Sequence, residues 1–263
     1  MYAKKSLGQH FLTSTGAVDA IIDAADIVGD DIVLEIGPGK GVLTEKLVFF
    51  AGKVIAVEKD RDLIPVLEEK FKKEIKKGRF ELLERDVLEF DPSVLEFYDS
   101  KYKLVANIPY YITGQLIRKF LEAKFQPERM VLMLQKEVAE RIVAKDGKES
   151  VLSISVKAYG TPHYIQTVKA GSFFPIPNVD SAILLIDNIS KDFFEDTVSE
   201  EDFFKMLKSG FKSKRKKLSS NLTEVADKEK IKEIFEQRGI SDNIRAEDIP
   251  YLEWKELAKV LLN

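Results

Sequence analysis

Glu35-Ile36-Gly37-Pro38-Gly39-Lys40-Gly41 is the stretch on which the reading of this chain turns. It follows Ile32–Ile36, a short apolar run of the kind that forms a strand buried on both faces. It precedes a helical pattern with Leu43, Leu47 and Phe50 on one side. Glycines between a strand and a helix let the backbone turn sharply and approach a ligand with no Cβ in the way. The helix start beyond them offers free amide donors. A dinucleotide loop needs G-x-G-x-x-G, and counting from Gly37 its last glycine would fall where Val42 stands. The pattern left, E-x-G-x-G-x-G, suits S-adenosylmethionine, which has no pyrophosphate to cradle. A tight turn without a ligand would use the same residues.

On either side the chain keeps the same strand–helix rhythm. Thr13–Val28 carries Val18, Ile21, Ile22 and Ala25 at helical spacing. Val54–Val57 reads as a second strand, after which Asp60 is placed to cap a helix containing Leu63, Leu67 and Phe71. Phe80–Leu83, Leu104–Ala106 and Met130–Leu134 continue the strands, with helices after Thr113 and over Lys136–Ala144. Val151–Ala158 fits either period, with the helix preferred; Tyr164–Val168 and Ala182–Ile186 read as closing strands. Such alternation predicts an α/β domain, a mostly parallel sheet with helices on both faces and ligands beyond the strand carboxyl ends. After Asp187 the rhythm changes. Ser199-x-x-Asp202 reads as a capping box, Asp227 and Gly239 bracket one helix, and Pro250 opens another with Trp254, Leu257 and Leu261 on its face. The expected division is therefore 1–188 for a ligand-binding domain and 189–263 for a small all-α domain.

Composition narrows the chemistry. The chain has 263 residues, 44% of them hydrophobic, enough for a packed core. It has no cysteine, which removes disulfides, zinc–thiolate sites and thiol nucleophiles. Its two histidines, His10 and His163, form no metal-binding pattern, so no metal is expected. No apolar run approaches membrane-spanning length, and the N-terminus lacks the apolar core of a signal peptide, so a cytoplasmic protein is expected. The net charge of −3 leaves nucleic acid open as a partner, because a local basic patch on a neutral body suffices.

Further acidic residues fall where strands end. Glu58 closes the second strand, where a carboxylate can accept both hydroxyls of a ribose. Asp86, before Val87, follows the third and can accept from an adenine amino group. Directly after the fourth comes Asn107-Ile108-Pro109-Tyr110. An exocyclic adenine nitrogen is a poor nucleophile because its lone pair is delocalised. Acceptors around its N–H groups favour pyramidalisation and stabilise the charge that develops. The Asn107 amide oxygen and the Ile108 carbonyl can be those acceptors, Pro109 holds Ile108 extended, and Tyr110 offers a face for stacking. An Asn-x-Pro turn with a packed tyrosine is the bland alternative. Ser172–Ser181 contains Phe173 in a stiff loop with two prolines, an aromatic that could close the other face of a flipped base. Lys212, Lys214, Arg215, Lys216 and Lys217 make a basic run suited to phosphates, and Lys4 and Lys5 are expected to add to the same surface.

With these motifs assembled, the chain resembles the rRNA adenine N6,N6-dimethyltransferase family, in particular its bacterial, KsgA-type members. The likeness rests on KKSLGQHFL at 4–12, EIGPGKG at 35–41, VEKD at 57–60, RDVL at 85–88, NIPYY at 107–111, FFPIPNVDSA at 173–182 and FKSKRKKLSSNL at 211–222. It implies a class I S-adenosylmethionine-dependent methyltransferase, a Rossmann-like, mostly parallel seven-stranded sheet with a helical RNA-recognition domain. It implies dimethylation of two adjacent adenosines near the 3′ end of small-subunit (16S) rRNA; a pre-assembled small subunit as partner, a monomeric enzyme and no metal are expected beside it. By position, His10, Leu12, Gly37, Glu58, Asp86 and Asn107 would contact S-adenosylmethionine, with Glu35, Gly39 and Val87 in the same motifs. Asn107, Ile108, Pro109, Tyr110 and Phe173 would hold the adenine. His10 stands where the family often has Asn, and Ile108 where leucine is commoner. Helix is favoured for Val151–Ala158. The competing readings are a large-subunit rRNA adenine methyltransferase of the antibiotic-resistance type and a non-catalytic rRNA-binding assembly or transcription factor. A DNA or protein-glutamine methyltransferase fits the C-terminal domain poorly.

Overall fold

The computed structural model describes Lys4 and residues 7–94, 101–195 and 198–262. The strands are β1 (Phe11–Leu12), β2 (Ile32–Ile36), β3 (Lys53–Glu58), β4 (Phe80–Glu84), β5 (Tyr102–Asn107), β6 (Arg129–Gln135), β7 (Thr161–Val168), β8 (Phe173–Phe174) and β9 (Ser181–Asp187). The helices are α1 (Thr15–Ala25), α2 (Val42–Phe50), α3 (Ile64–Lys70), α4 (Lys72–Lys76), α5 (Thr113–Glu122), α6 (Lys136–Ile142), α7 (Val151–Lys157), α8 (Asp192–Glu195), α9 (Glu200–Gly210), α10 (Leu218–Leu222), α11 (Lys228–Gln237) and α12 (Tyr251–Leu261).

Seven strands form one sheet in the order β4-β3-β2-β5-β6-β9-β7. β4 to β6 are parallel, while β9 runs antiparallel to both β6 and β7. β2 and β5 are buried almost throughout, which is why they read as unbroken apolar runs. The order reverses between β2 and β5, and in such sheets the crevice beyond the strand ends at that point receives the ligand.

The chain divides into two compact units, Met1–Ala139 with Thr161–Ile189, and Glu140–Gly160 with Ser190–Asn263. Unlike the expected division at 188, residues 140–160 fall in the second unit rather than the first. The reason lies in α7. Ser150 and Ser153 cap it reciprocally, so it is a helix, and Ile154 and Ala158 enter the apolar cluster of Phe203, Leu218, Phe235 and Trp254. The first unit packs around Val33, Leu47, Val54, Val105 and Val131. The Ser199 box is half formed. Ser199 Oγ accepts from Asp202 N at 3.1 Å, but it also donates to the Asp202 carboxylate at 2.7 Å, which therefore does not reach back to the backbone.

Candidate active site

The glycine loop leaves β2 in left-handed backbone. Gly37 has φ 69° and donates its N–H to Val57 O at 3.0 Å, locking the turn to the end of β3. A Cβ there would meet nothing closer than Asn107 O at 3.8 Å, so the side-chain direction is open. Gly41, φ 73°, is needed for a different reason. A Cβ on it would stand 2.7 Å from the Phe71 ring, which packs beneath the start of α2.

Three carboxylates line the crevice in three different states. Glu35 is 1% exposed, and its Oε2 has no hydrogen-bond partner. Burial first, then the neighbouring Glu58 charge, push its carboxyl up to about 8, against the opposing influence of Thr44 and Lys70. Glu58 accepts from Asp60 N at 2.8 Å and Gly39 N at 3.1 Å. Burial raises its carboxyl and those amides partly offset the rise. Burial also raises Asp86, but a 2.6 Å bond from Lys59 Nζ and a 2.9 Å bond from Leu88 N outweigh it and hold the carboxyl below its ordinary range.

Across the crevice, β5 ends at Asn107, whose amide nitrogen donates to His10 O at 3.2 Å. Ile108 N donates to Met133 O at 3.0 Å, and among the described residues no donor reaches the Ile108 carbonyl. Pro109 is extended (φ −57°, ψ 127°), and the Tyr110 hydroxyl is anchored 2.8 Å from the buried Ser181 Oγ. The roof is a two-residue antiparallel ladder, Phe11 opposite Phe174 and Leu12 opposite Phe173. Phe173 is 3% exposed and Phe174 65%, so the first points inward. His10 Nδ1 lies 2.7 Å from Pro175 O, and its ring runs within 20° of parallel to Tyr110 at 6.1 Å between centroids.

One cavity of about 1250 Å³, mouth included, is lined by His10, Leu12, Glu35, Gly37, Gly39, Glu58, Asp86, Val87, Asn107, Ile108, Pro109, Tyr110 and Phe173. Those are all the residues the sequence proposes for cofactor and adenine. The donor set fits a nucleoside carrying a cationic tail. It has carboxyl groups near the ends of three strands, one of them with an unpartnered oxygen, a glycine whose side-chain direction is open, and an apolar roof. Among the described residues no group of three or more His, Asp or Glu side chains could hold a metal ion, and no helix is long and apolar enough to cross a membrane.

The structure also reassigns some residues. Asp60 does not cap the next helix, since α3 starts at Ile64 behind Leu63. Its buried carboxylate accepts from Gln9 Nε2 at 2.7 Å and Lys4 Nζ at 2.5 Å. Lys4, expected on an RNA surface, therefore spends its charge on Asp60 and on Asp62, 2.6 Å away. Lys5 lies outside the described residues. The basic run occupies the segment between α9 and α10 and is exposed at all five cations. Lys212 pairs with Glu224, and Lys217 with Asp242 at 2.8 Å; Lys214, Arg215 and Lys216 have no carboxylate partner among the described residues. Sequence reasoning also passed over Gln9, Lys59 and Ser181, whose partners are distant in the chain.

A doubly wound sheet with one reversed strand, β9, and a crevice lined for a nucleoside at its switch point define a class I S-adenosylmethionine-dependent methyltransferase. A model of the family "Ribosomal RNA adenine dimethylase" matches residues 1–263, and the chain belongs to that family. It is 47% identical over 257 residues to ribosomal RNA small subunit methyltransferase A of Dehalococcoides mccartyi (strain CBDB1), covering 97% of this chain and 87% of that one. It is 42% identical over 260 residues to the protein of the same name from Fusobacterium nucleatum, covering 98% and 97%. Among solved structures, a dimethyladenosine transferase from Plasmodium falciparum superposes with TM-score 0.81 at 28% identity over 94% of this chain and 96% of that one. The 23S rRNA methyltransferase ErmE shares the fold, with TM-score 0.78 at 23% identity over 96% and 100%. Family and fold imply S-adenosylmethionine as methyl donor.

Proposed function

We propose that this enzyme dimethylates the N6 amino groups of two adjacent adenosines near the 3′ end of small-subunit rRNA. The substrate is a partly assembled small subunit in the cytoplasm, and the enzyme acts as a monomer without a metal. The observation that carries this reading is the fixed Asn107 amide. Its nitrogen is committed to His10 O, so its oxygen is the group left for a target N–H.

When bound, S-adenosylmethionine supplies an electrophilic methyl group. Glu58 accepts the ribose hydroxyls and Asp86 the adenine amino group. Glu35 offers its unpartnered oxygen to the ligand's ammonium, and Gly37 and Gly39 leave room for its chain. His10, Leu12 and Val87 cover it. On the substrate side, Asn107 Oδ1 and the free Ile108 carbonyl accept the two N–H groups of a flipped adenine, bringing its nitrogen lone pair out of conjugation. Pro109 holds that carbonyl in place. Tyr110 stacks on one face of the base and Phe173 on the other. The two acceptors stabilise the positive charge as it forms on nitrogen, and the resulting acidic ammonium loses its proton to water. Orientation does most of the work. The second unit's basic segment, Lys212 to Lys217, holds the phosphate backbone.

The test is labelled methyl transfer to unmodified small and large ribosomal subunits, with the modified nucleotides mapped by mass spectrometry. Dimethyladenosine at neighbouring positions near the 3′ end of the small-subunit rRNA is the expected result. Label confined to the large subunit, or absent from both, overturns the reading.

A further inference from the structure

We propose that Asp60 is a positioning residue, a clasp that holds the stretch from Leu7 to Leu12 closed over the methyl donor and so sets how long the donor stays bound. The proposal rests on the donor reading of the cavity and adds a residue to it.

Asp60 lies two residues beyond Glu58 and is 3% exposed. One carboxylate oxygen takes Lys4 Nζ at 2.5 Å and Asp62 N at 3.1 Å; the other takes Gln9 Nε2 at 2.7 Å. Gln9 is held from both ends, because its Oε1 accepts from Lys4 N at 2.8 Å. The segment from Leu7 to Leu12 forms part of the cavity wall, and within it the residue after Gln9, His10, takes the Asn107 amide through its carbonyl. A chain of contacts therefore runs from the donor end of the site, through Asp60 and Gln9, to the catalytic asparagine. The backbone N–H of Asp60 separately holds Glu58. Only the side chain is free to act as the clasp, and a side-chain substitution tests it without removing the ribose acceptor.

The physical case is that an isolated buried carboxylate is costly, and this one is ionised. Burial opposes its charge, but Lys4 and Gln9 outweigh that and hold the carboxyl below its ordinary range. No substrate or cofactor role needs a carboxylate turned toward Lys4 and Gln9. Its partners are Lys4 and Gln9; the stretch from Leu7 to Leu12 is also anchored by the two-residue ladder with β8, by the Asn107 bond to His10 O and by the contact of His10 Nδ1 with Pro175 O.

The experiment measures dissociation of S-adenosylmethionine and S-adenosylhomocysteine from the full chain and from Asp60→Asn, Asp60→Glu and Gln9→Ala. Asp60→Asn is expected to speed release about tenfold, the effect of losing a charge-assisted hydrogen bond. Asp60→Glu should restore part of the wild-type rate, and the melting temperature without donor should stay within a few degrees. Adding Gln9→Ala to Asp60→Asn should change little further, because both break one contact. If Asp60→Asn does not fold, Lys4→Met with Gln9→Ala, both on the segment, must speed release by a similar factor. Release within about twofold of wild type in the folded variant, or effects of Asp60→Asn and Gln9→Ala that multiply, overturns the clasp. A wild-type chain that binds neither compound overturns the donor reading and the clasp together; a binding wild type with unaffected variants removes the clasp alone.

Discussion

The cavity of the first unit and the basic segment of the second use polar groups in opposite ways. In the cavity Glu35 and Glu58 are buried and Asn107 partly so. The Glu58 oxygens accept from Asp60 N and Gly39 N at 2.8 and 3.1 Å, the Asn107 nitrogen donates to His10 O at 3.2 Å, and one Glu35 oxygen and the Asn107 oxygen are left for a ligand. In the basic segment the cations are exposed, two of them paired and three without a carboxylate partner among the described residues. The cavity acts through where each atom is, whereas the segment acts through how much charge it sums. Removing one atom should be severe in the first and mild in the second.

The largest expected effect follows directly. Asn107→Ala deletes the aimed acceptor and should lower methyl transfer by about 10²–10³-fold or more, as removal of a preorganised charge-stabilising group does. Binding of rRNA should change little. Single-turnover transfer and a filter-binding assay on the same preparation check both halves. Wild-type turnover in the variant would end the catalytic assignment and, with it, the contrast between the regions.

Glu35 supplies the next test because burial acts on stability as well as on binding. Its carboxyl rises from an ordinary 4.5 to about 8 in the folded chain, so the folded state holds a proton that the unfolded state has released. Stability therefore falls as pH rises between those two values and levels off above the upper one. Glu35→Gln should flatten that slope and melt above wild type at pH 8, by on the order of 5 °C. Thermal melts of the donor-free proteins across this range measure it.

The same contrast governs what the sequence could reveal. β2, β3, β5 and β6 were legible because strands buried on both faces read as apolar runs. The place of Glu58, Asp86 and Asn107 in the cavity wall was legible because crevices open beyond strand ends in such sheets. The β1–β8 ladder was not, since two residues carry no period and the partners lie far apart in the chain. Asp60 looked like a helix cap because an acidic residue before an apolar pattern ordinarily is one, and its tie to Lys4 spans 56 positions. Ile154, Val156 and Ala158 alternate as a strand would; only the Ser150–Ser153 cap and the second unit's core settle α7 as a helix of that unit. Charge pairing was equally hidden. Glu224 lies 12 residues from Lys212, and Asp242 lies 25 from Lys217.

A pair of glycines sharpens the point about position. Gly37→Ala and Gly41→Ala both force an alanine into left-handed backbone, at a cost of roughly 1–2 kcal/mol. At Gly41 the new Cβ also meets the Phe71 ring at 2.7 Å, so the loss should appear mainly in the melting temperature. At Gly37 the Cβ has room, and the larger loss should be in donor affinity, read by calorimetry beside the melt. Equal shifts in both assays would mean that the glycine loop is only a turn.

The smallest effect lies in the basic segment, where it is read from a slope. Each free cation that meets a phosphate should add about 0.7 to the dependence of log affinity on log salt for a single-stranded site. Neutralising Lys214, Arg215 and Lys216 together should flatten that slope by about 2 and weaken rRNA binding several-fold near physiological salt. Lys217→Gln should do less than Lys214→Gln, because the Lys217 ammonium already holds Asp242 at 2.8 Å and must leave it to meet a phosphate. Salt titrations of the two single variants compare a paired with an unpaired cation in one short segment. Equal slopes would show that RNA strips Lys217 from Asp242 at no measurable cost, and the segment would then count all five charges alike.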